Sequence, residues 1–227
     1  MNRLLNNLCG NLCQLNNNDK ILILGCGISD HITSKIENQI IPLLYMLNLK
    51  NLTLSDINIS LDISNFRYNL NELNYKYNIN LENILPNYYY NTIENFKYLN
   101  CLWDLDISER FLKFDLLKDD INTIDNYDFI QLKQILHLKE FKYDRLNIIN
   151  KLYNKLNNKG NLYITIYSKL NKFYLTNYYD SYTCLTSVEL DILQNTYNNI
   201  IIEKNTLLEG IMKGNEYYKI LIPRTII

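Results

Sequence analysis

Residues 20–25 form an apolar run, Lys-Ile-Leu-Ile-Leu-Gly, that breaks at Gly25-Cys26-Gly27. A short continuous apolar run bounded by glycine reads as a buried parallel strand. Similar runs recur at 52–56, ending on Asp56, at 110–114, followed by Asp115, and at 127–132. Another covers 161–167, after the turn Asn157-Asn158-Lys159-Gly160. The last two, 200–207 and 216–222, are joined through Gly210 and Gly214 and read as a hairpin. Helical patterns occupy 4–15, 29–47 (with Ser29 or Asp30 as cap), 60–77, 141–156 and 187–197. Residues 78–108 follow no clear period and hold Pro86, several tyrosines and the only tryptophan, Trp103. They read as an insertion with one helix near 91–101. A polar, tyrosine-rich loop runs over 168–183.

Strands alternating with helices and closing on a strand pair predict an α/β fold. The sheet is expected to be Rossmann-like, doubly wound and seven-stranded, with an antiparallel C-terminal strand pair. No linker, repeat or charge block divides residues 1–227, so a single domain is expected, and that length suits one core.

Composition adds little chemistry. A net charge of −1 gives no electrostatic argument for nucleic acid or an acidic membrane, although 23 Lys and Arg leave room for a local basic patch. No apolar stretch approaches a membrane span, and the Asn-rich start lacks a signal-peptide core, so a cytoplasmic location is expected. Alanine is missing and Val188 is the only valine, while Asn, Ile, Lys, Leu and Tyr dominate. Those types mostly have AT-rich codons, which points to an AT-rich genome such as that of a large DNA virus or a parasite. The same bias explains runs such as Tyr88-Tyr89-Tyr90 without invoking binding. Five scattered cysteines give no metal-ligand spacing. Cys9 and Cys13 would share a helix face and read as incidental thiols.

Gly25 and Gly27 carry the first functional signal. Without a Cβ, each lets a nucleotide-like ligand approach the backbone, or simply makes a tight strand-helix turn. Asp56, at the end of the second strand, can accept hydrogen bonds from both hydroxyls of a ribose; the plain alternative is a helix cap. Asp115 follows the third strand, where the plain reading is a turn residue.

The order of these landmarks resembles the class I S-adenosylmethionine-dependent methyltransferases over nearly the whole chain. The likeness rests on Gly25-Cys26-Gly27, Asp56, Asp115, the segment from Tyr127 to His137, and the turn Leu156-Asn157-Asn158-Lys159-Gly160-Asn161-Leu162 before the fifth strand. A nicotinamide-dinucleotide domain fits less well, because its third glycine falls at Asp30. The long gap between Asp56 and Asp115, Trp103-Asp104 and the segment Ser168 to Leu175 are similar to the nicotinamide, phenylethanolamine and indolethylamine N-methyltransferases.

The resemblance implies S-adenosylmethionine as cofactor. Gly25 and Gly27 would meet its carboxypropyl end, Asp56 its ribose, and Asp115 the adenine amino group, with Leu116 on the ring. His31 would be a further contact in the cofactor pocket. His137, after the fourth strand, would be a catalytic base, the alternative being a helix-start histidine that is exposed or packed beside Leu136. Two departures stand out. Ile23 replaces an acid that commonly orients the methionine portion, and Tyr167 replaces a carboxylate that orients the amine substrate. Tyr167, Tyr174, Tyr178 and Tyr179 would wall the acceptor pocket, with Asp180 as a substitute acid. The pocket itself would be built from the 78–108 insertion and the 168–183 loop.

The implied reaction is in-line methyl transfer to a small molecule, on an amine nitrogen, with no membrane partner. A protein partner would cover the site where the N-terminal lid of those enzymes is lacking. The alternatives are an RNA cap methyltransferase and a non-catalytic methyltransferase-like subunit.

Overall fold

A computed structural model describes residues 7–9, 11–16, 18–25, 51–56, 111–133, 135–177, 181–207 and 213–225. The helices expected over 29–47 and 60–77, and the 78–108 insertion, lie outside the described residues.

Seven strands form one sheet: β1 (Ile21–Leu24), β2 (Leu52–Asp56), β3 (Phe111–Lys113), β4 (Tyr127–Lys133), β5 (Leu156–Lys169), β6 (Ile201–Thr206) and β7 (Glu216–Pro223). Their spatial order is β3-β2-β1-β4-β5-β7-β6. Strands β1 to β5 pair in parallel, and β7 runs antiparallel to both β5 and β6. The chain thus leaves β1 toward β2 and β3 on one side and later returns to β1's other edge with β4. That reversal makes the junction of β1 and β4 a topological switch point.

In-register pairing sorts the side chains onto two faces. Leu22 and Leu24 line up with Ile130 and Leu132, then Leu162 and Ile164, then Ile222 and Ile220. These residues form one buried cluster with Ile148, Ile149 and Leu152 of helix α1 (Arg145–Tyr153) and Leu193 of α3 (Ser187–Thr196). The opposite face carries Ile21, Ile23, Phe129, Tyr163 and Leu221, all buried. Burial on both faces is why the central strands read as continuous apolar runs. At the margin, β6 is largely exposed and carries Glu203 and Lys204, charges that discourage further strand pairing.

Three local readings are corrected. Where a helix is expected over 4–15, the described residues hold one 3-10 turn, Asn7–Cys9, and then Asn11 at φ 65°, a left-handed backbone that helices do not continue through. Cys9 and Cys13 still meet, the Cys9 thiol donating to the Cys13 carbonyl at 3.2 Å. The 168–183 loop contains a helix, α2 (Lys172–Asn177), started by the Asn171 side chain, which accepts from the Tyr174 N–H at 2.9 Å. The 157–160 turn is a bulge inside β5: β4 pairs with Leu156, then skips to Asn161.

That bulge explains Gly160. A Cβ there would lie 2.9 Å from the Asn157 carbonyl oxygen and 3.1 Å from those of Tyr127 and Asp128, all of them backbone atoms. Asp128 fixes the same corner, accepting from the Lys20 N–H at 2.7 Å and the Asn157 side-chain amide at 2.8 Å. Gly160→Ala should therefore lower stability by about 1–3 kcal/mol, measured as a fall in Tm against the parent.

Candidate active site

The carboxyl ends of β1 to β5 share one edge of the sheet. Gly25 follows β1 with φ 68°, a conformation strained for any residue with a Cβ, and its N–H bonds the Ser55 carbonyl at 2.9 Å. Asp56 is the last residue of β2, in register with Lys113 at the end of β3, and Asp115 lies two residues further on. His137 comes after β4, and Tyr167 lies two residues past Thr165, the partner of Lys133 at the end of β4. The edge therefore brings together Gly25, Asp56, Asp115, His137 and Tyr167. Gly27, His31, Tyr178 and Asp180 lie outside the described residues.

Asp115 organises its own turn. Its carboxylate accepts from the Leu117 N–H at 3.0 Å and pairs with Lys118 at 3.1 Å. The Leu117 N–H, then Lys118, hold this carboxyl below the usual carboxylate range. Two partners leave acceptor capacity on an oxygen pair with about four lone-pair sites. Leu116, expected to lie on an adenine ring, is buried in the core cluster with Phe114, Ile121 and Ile124.

Across the switch point the edge becomes aromatic. His137 is buried, with its ring 4.7 Å from that of Tyr167, edge-on, and 4.9 Å from that of Tyr182. Tyr174, on α2, packs 6.3 Å from Tyr167 and 5.7 Å from Tyr182. Burial, and secondarily the Arg145 charge, push His137 down to about 3, so the imidazole is neutral at ordinary pH. Burial also pushes the Tyr167 phenol up, reinforced by Tyr174 and Tyr182. Neither ring is charged near neutrality.

Sequence reasoning missed what supports this cluster. Arg145 is 1% exposed. It ion-pairs with Glu189 at 3.2 Å and donates to the Cys184 carbonyl at 3.0 Å and the Thr183 hydroxyl at 2.6 Å. Glu189 closes a capping box with Thr186 at the start of α3. Thr183 in turn donates its N–H to the His137 carbonyl at 2.6 Å, and Leu138 bridges to Tyr182. The Thr186-x-x-Glu189 pattern was the one available signal; nothing in the sequence marks Arg145 as buried.

Two further buried polar atoms near the end of β1 have no hydrogen-bond partner among the described residues: Ser55 Oγ and Gln131 Oε1. A buried unsatisfied group of this kind costs roughly 1–3 kcal/mol.

This geometry can be set beside known proteins. No protein-family model matches the chain, and no curated protein does. Solved structures do. A SAM-dependent methyltransferase from Methanosarcina mazei superposes with a TM-score of 0.51 at 13% identity, over 94% of this chain and 95% of that one. The N-methyltransferase NodS from Bradyrhizobium japonicum WM9, in complex with S-adenosyl-L-homocysteine, gives 0.50 at 10% identity, over 98% and 84%. The chain has the α/β, Rossmann-like fold of the S-adenosylmethionine-dependent methyltransferases. Among the described residues, no helix is long and apolar enough to cross a membrane.

The depressed His137 sets a pH dependence. Its folded pKa lies below the unfolded value of about 6.5, so the unfolded state binds the proton first as pH falls. Its stabilisation is complete above that value and is lost as pH drops toward 3. Between pH 7 and pH 5 the parent should lose about 2 kcal/mol more stability than His137→Phe, read from denaturant unfolding at both pH values. Equal losses would show that the imidazole titrates normally.

Proposed function

We propose that the chain transfers the methyl group of S-adenosylmethionine to a small molecule. The observation that carries this reading is the placement of Gly25, Asp56 and Asp115 at successive strand ends of one edge, beginning at the switch point. An extended nucleoside ligand laid along that edge meets each in turn. Gly25 admits its amino-acid tail beside the backbone. Asp56 accepts from both ribose hydroxyls, and Asp115 uses its remaining lone pairs on the adenine amino group.

The sulfonium supplies an activated methyl carbon when bound. The chain's task is then to align an acceptor with it and exclude water. The aromatic wall of Tyr167, Tyr174 and Tyr182 lies next along the edge and suits a flat or aromatic acceptor. An amine nitrogen fits the neutral His137 beside it, which can accept a hydrogen bond. An imidazole with a pKa of about 3 does not hold a proton taken from an ammonium, so the nucleophilic nitrogen reaches the methyl group unprotonated. On the resemblance to the small-amine N-methyltransferases, Tyr167 takes the place of a carboxylate, and its neutral phenol supplies no fixed negative charge for orienting a cation.

Calorimetric titration with S-adenosylhomocysteine tests the reading. The parent should bind saturably at one site, and Asp56→Ala should weaken binding by about 1–3 kcal/mol. No binding by a folded parent would favour a non-catalytic subunit. In a methyl-transfer assay, nicotinamide should turn over well below about 1 per second, because the orienting carboxylate is absent. Turnover at or above that rate would refute the argument from Tyr167.

A further inference from the structure

Gln131 is the buried polar residue of β4, whose other polar members, Asp128 and Lys133, stand near its two ends. It sits two residues before the end of β4, directly across from Ile23 of β1 and Tyr163 of β5. In-register parallel pairing puts these three side chains on one face of the sheet. Gln131 is 5% exposed, and its Oε1 is buried without a hydrogen-bond partner among the described residues. Among the described residues, its neighbours on that face, Ile23, Phe129 and Tyr163, offer it no strong donor except the Tyr163 hydroxyl, which lies at the far end of a ring stacked on Phe129 at 6.4 Å. A buried amide oxygen retained without a donor, one strand from Gly25 and at the switch point, is poised for a donor that arrives from outside the protein.

We propose that Gln131 is a ligand-contacting residue of this site, its side-chain carbonyl accepting a hydrogen bond from the ammonium of the cofactor's amino-acid tail. The inference rests on the methyltransferase reading above. The adenine and ribose of that ligand are taken up by Asp115 and Asp56 on the β3 and β2 side. Its remaining strong donor is the ammonium, which then falls at the β1–β4 side where Gln131 stands. A neutral amide holds an ammonium by a charge-assisted hydrogen bond without adding a second buried charge.

Two ligands separate this role from a structural one. S-adenosylhomocysteine carries the amino-acid tail; 5′-methylthioadenosine keeps the adenine, ribose and sulfur but lacks it. Gln131→Met preserves length and removes the acceptor. It should bind S-adenosylhomocysteine about tenfold more weakly than the parent and methylthioadenosine within about twofold. Gln131→Glu, which keeps an acceptor, should bind S-adenosylhomocysteine at least as tightly as the parent and also leave methylthioadenosine little changed. Unchanged S-adenosylhomocysteine affinity in Gln131→Met, or equal weakening for both ligands, would overturn the assignment; should that variant fail to fold, weakened S-adenosylhomocysteine binding by Gln131→Glu would do the same. A parent that binds neither ligand would overturn the methyltransferase reading itself, an outcome distinct from either of those.

Discussion

The buried guanidinium of Arg145 constrains everything on the acceptor side of the sheet. A cation this deep is tolerated only when it is compensated, and here Glu189 supplies the opposite charge while the Cys184 carbonyl and Thr183 hydroxyl accept from its two terminal nitrogens. Satisfying it fixes three things together: the start of α3, the path of residues 181–186, and, through Thr183, the segment that carries His137. The aromatic cluster is thus held from beneath by one electrostatic requirement, not only by ring packing. The same positive charge also discourages protonation of His137.

The centre of the sheet was legible in the sequence because its strands are buried on both faces, so they appear as apolar runs; the exposed β6 was legible only as half of a glycine-joined pair. The seven runs fall within a few residues of the observed strands. Reading failed where a single residue's backbone decides the outcome. Asn11 and Lys159 adopt left-handed conformations, at φ 65° and 66°, and neither residue type announces that in this Asn- and Lys-rich chain. Helix α2 was hidden for a related reason: Asn171 is one asparagine among many, and only its bond to the Tyr174 N–H makes it a cap.

The candidate site divides in the same way. Gly25, Asp56 and Asp115 could be found because a glycine or an acid closing an apolar run is a local pattern. The acceptor side depends on contacts between distant segments. Tyr167 meets Tyr182 across the loop, and Arg145 reaches Glu189 from another helix. Gln131 was passed over because one polar residue in a strand is unremarkable until its burial and its lack of a donor are known. The two halves also differ electrostatically: the Asp115 carboxylate stands on the β3 side, while the β5 side presents rings that stay neutral.

Strand β7 has a consequence for how the molecule comes into being. It lies between β5 and β6, pairing with both, yet it is the last of the seven strands in the chain. During synthesis β5 emerges with one long hydrogen-bonding edge open, and β6 has no partner in the sheet until β7 follows. A nascent chain stalled before Glu216 would expose an unpaired apolar edge of the kind that recruits other strands. Only the arrival of β7 closes that edge and brings β6 into the sheet, so one late segment completes two pairings at once.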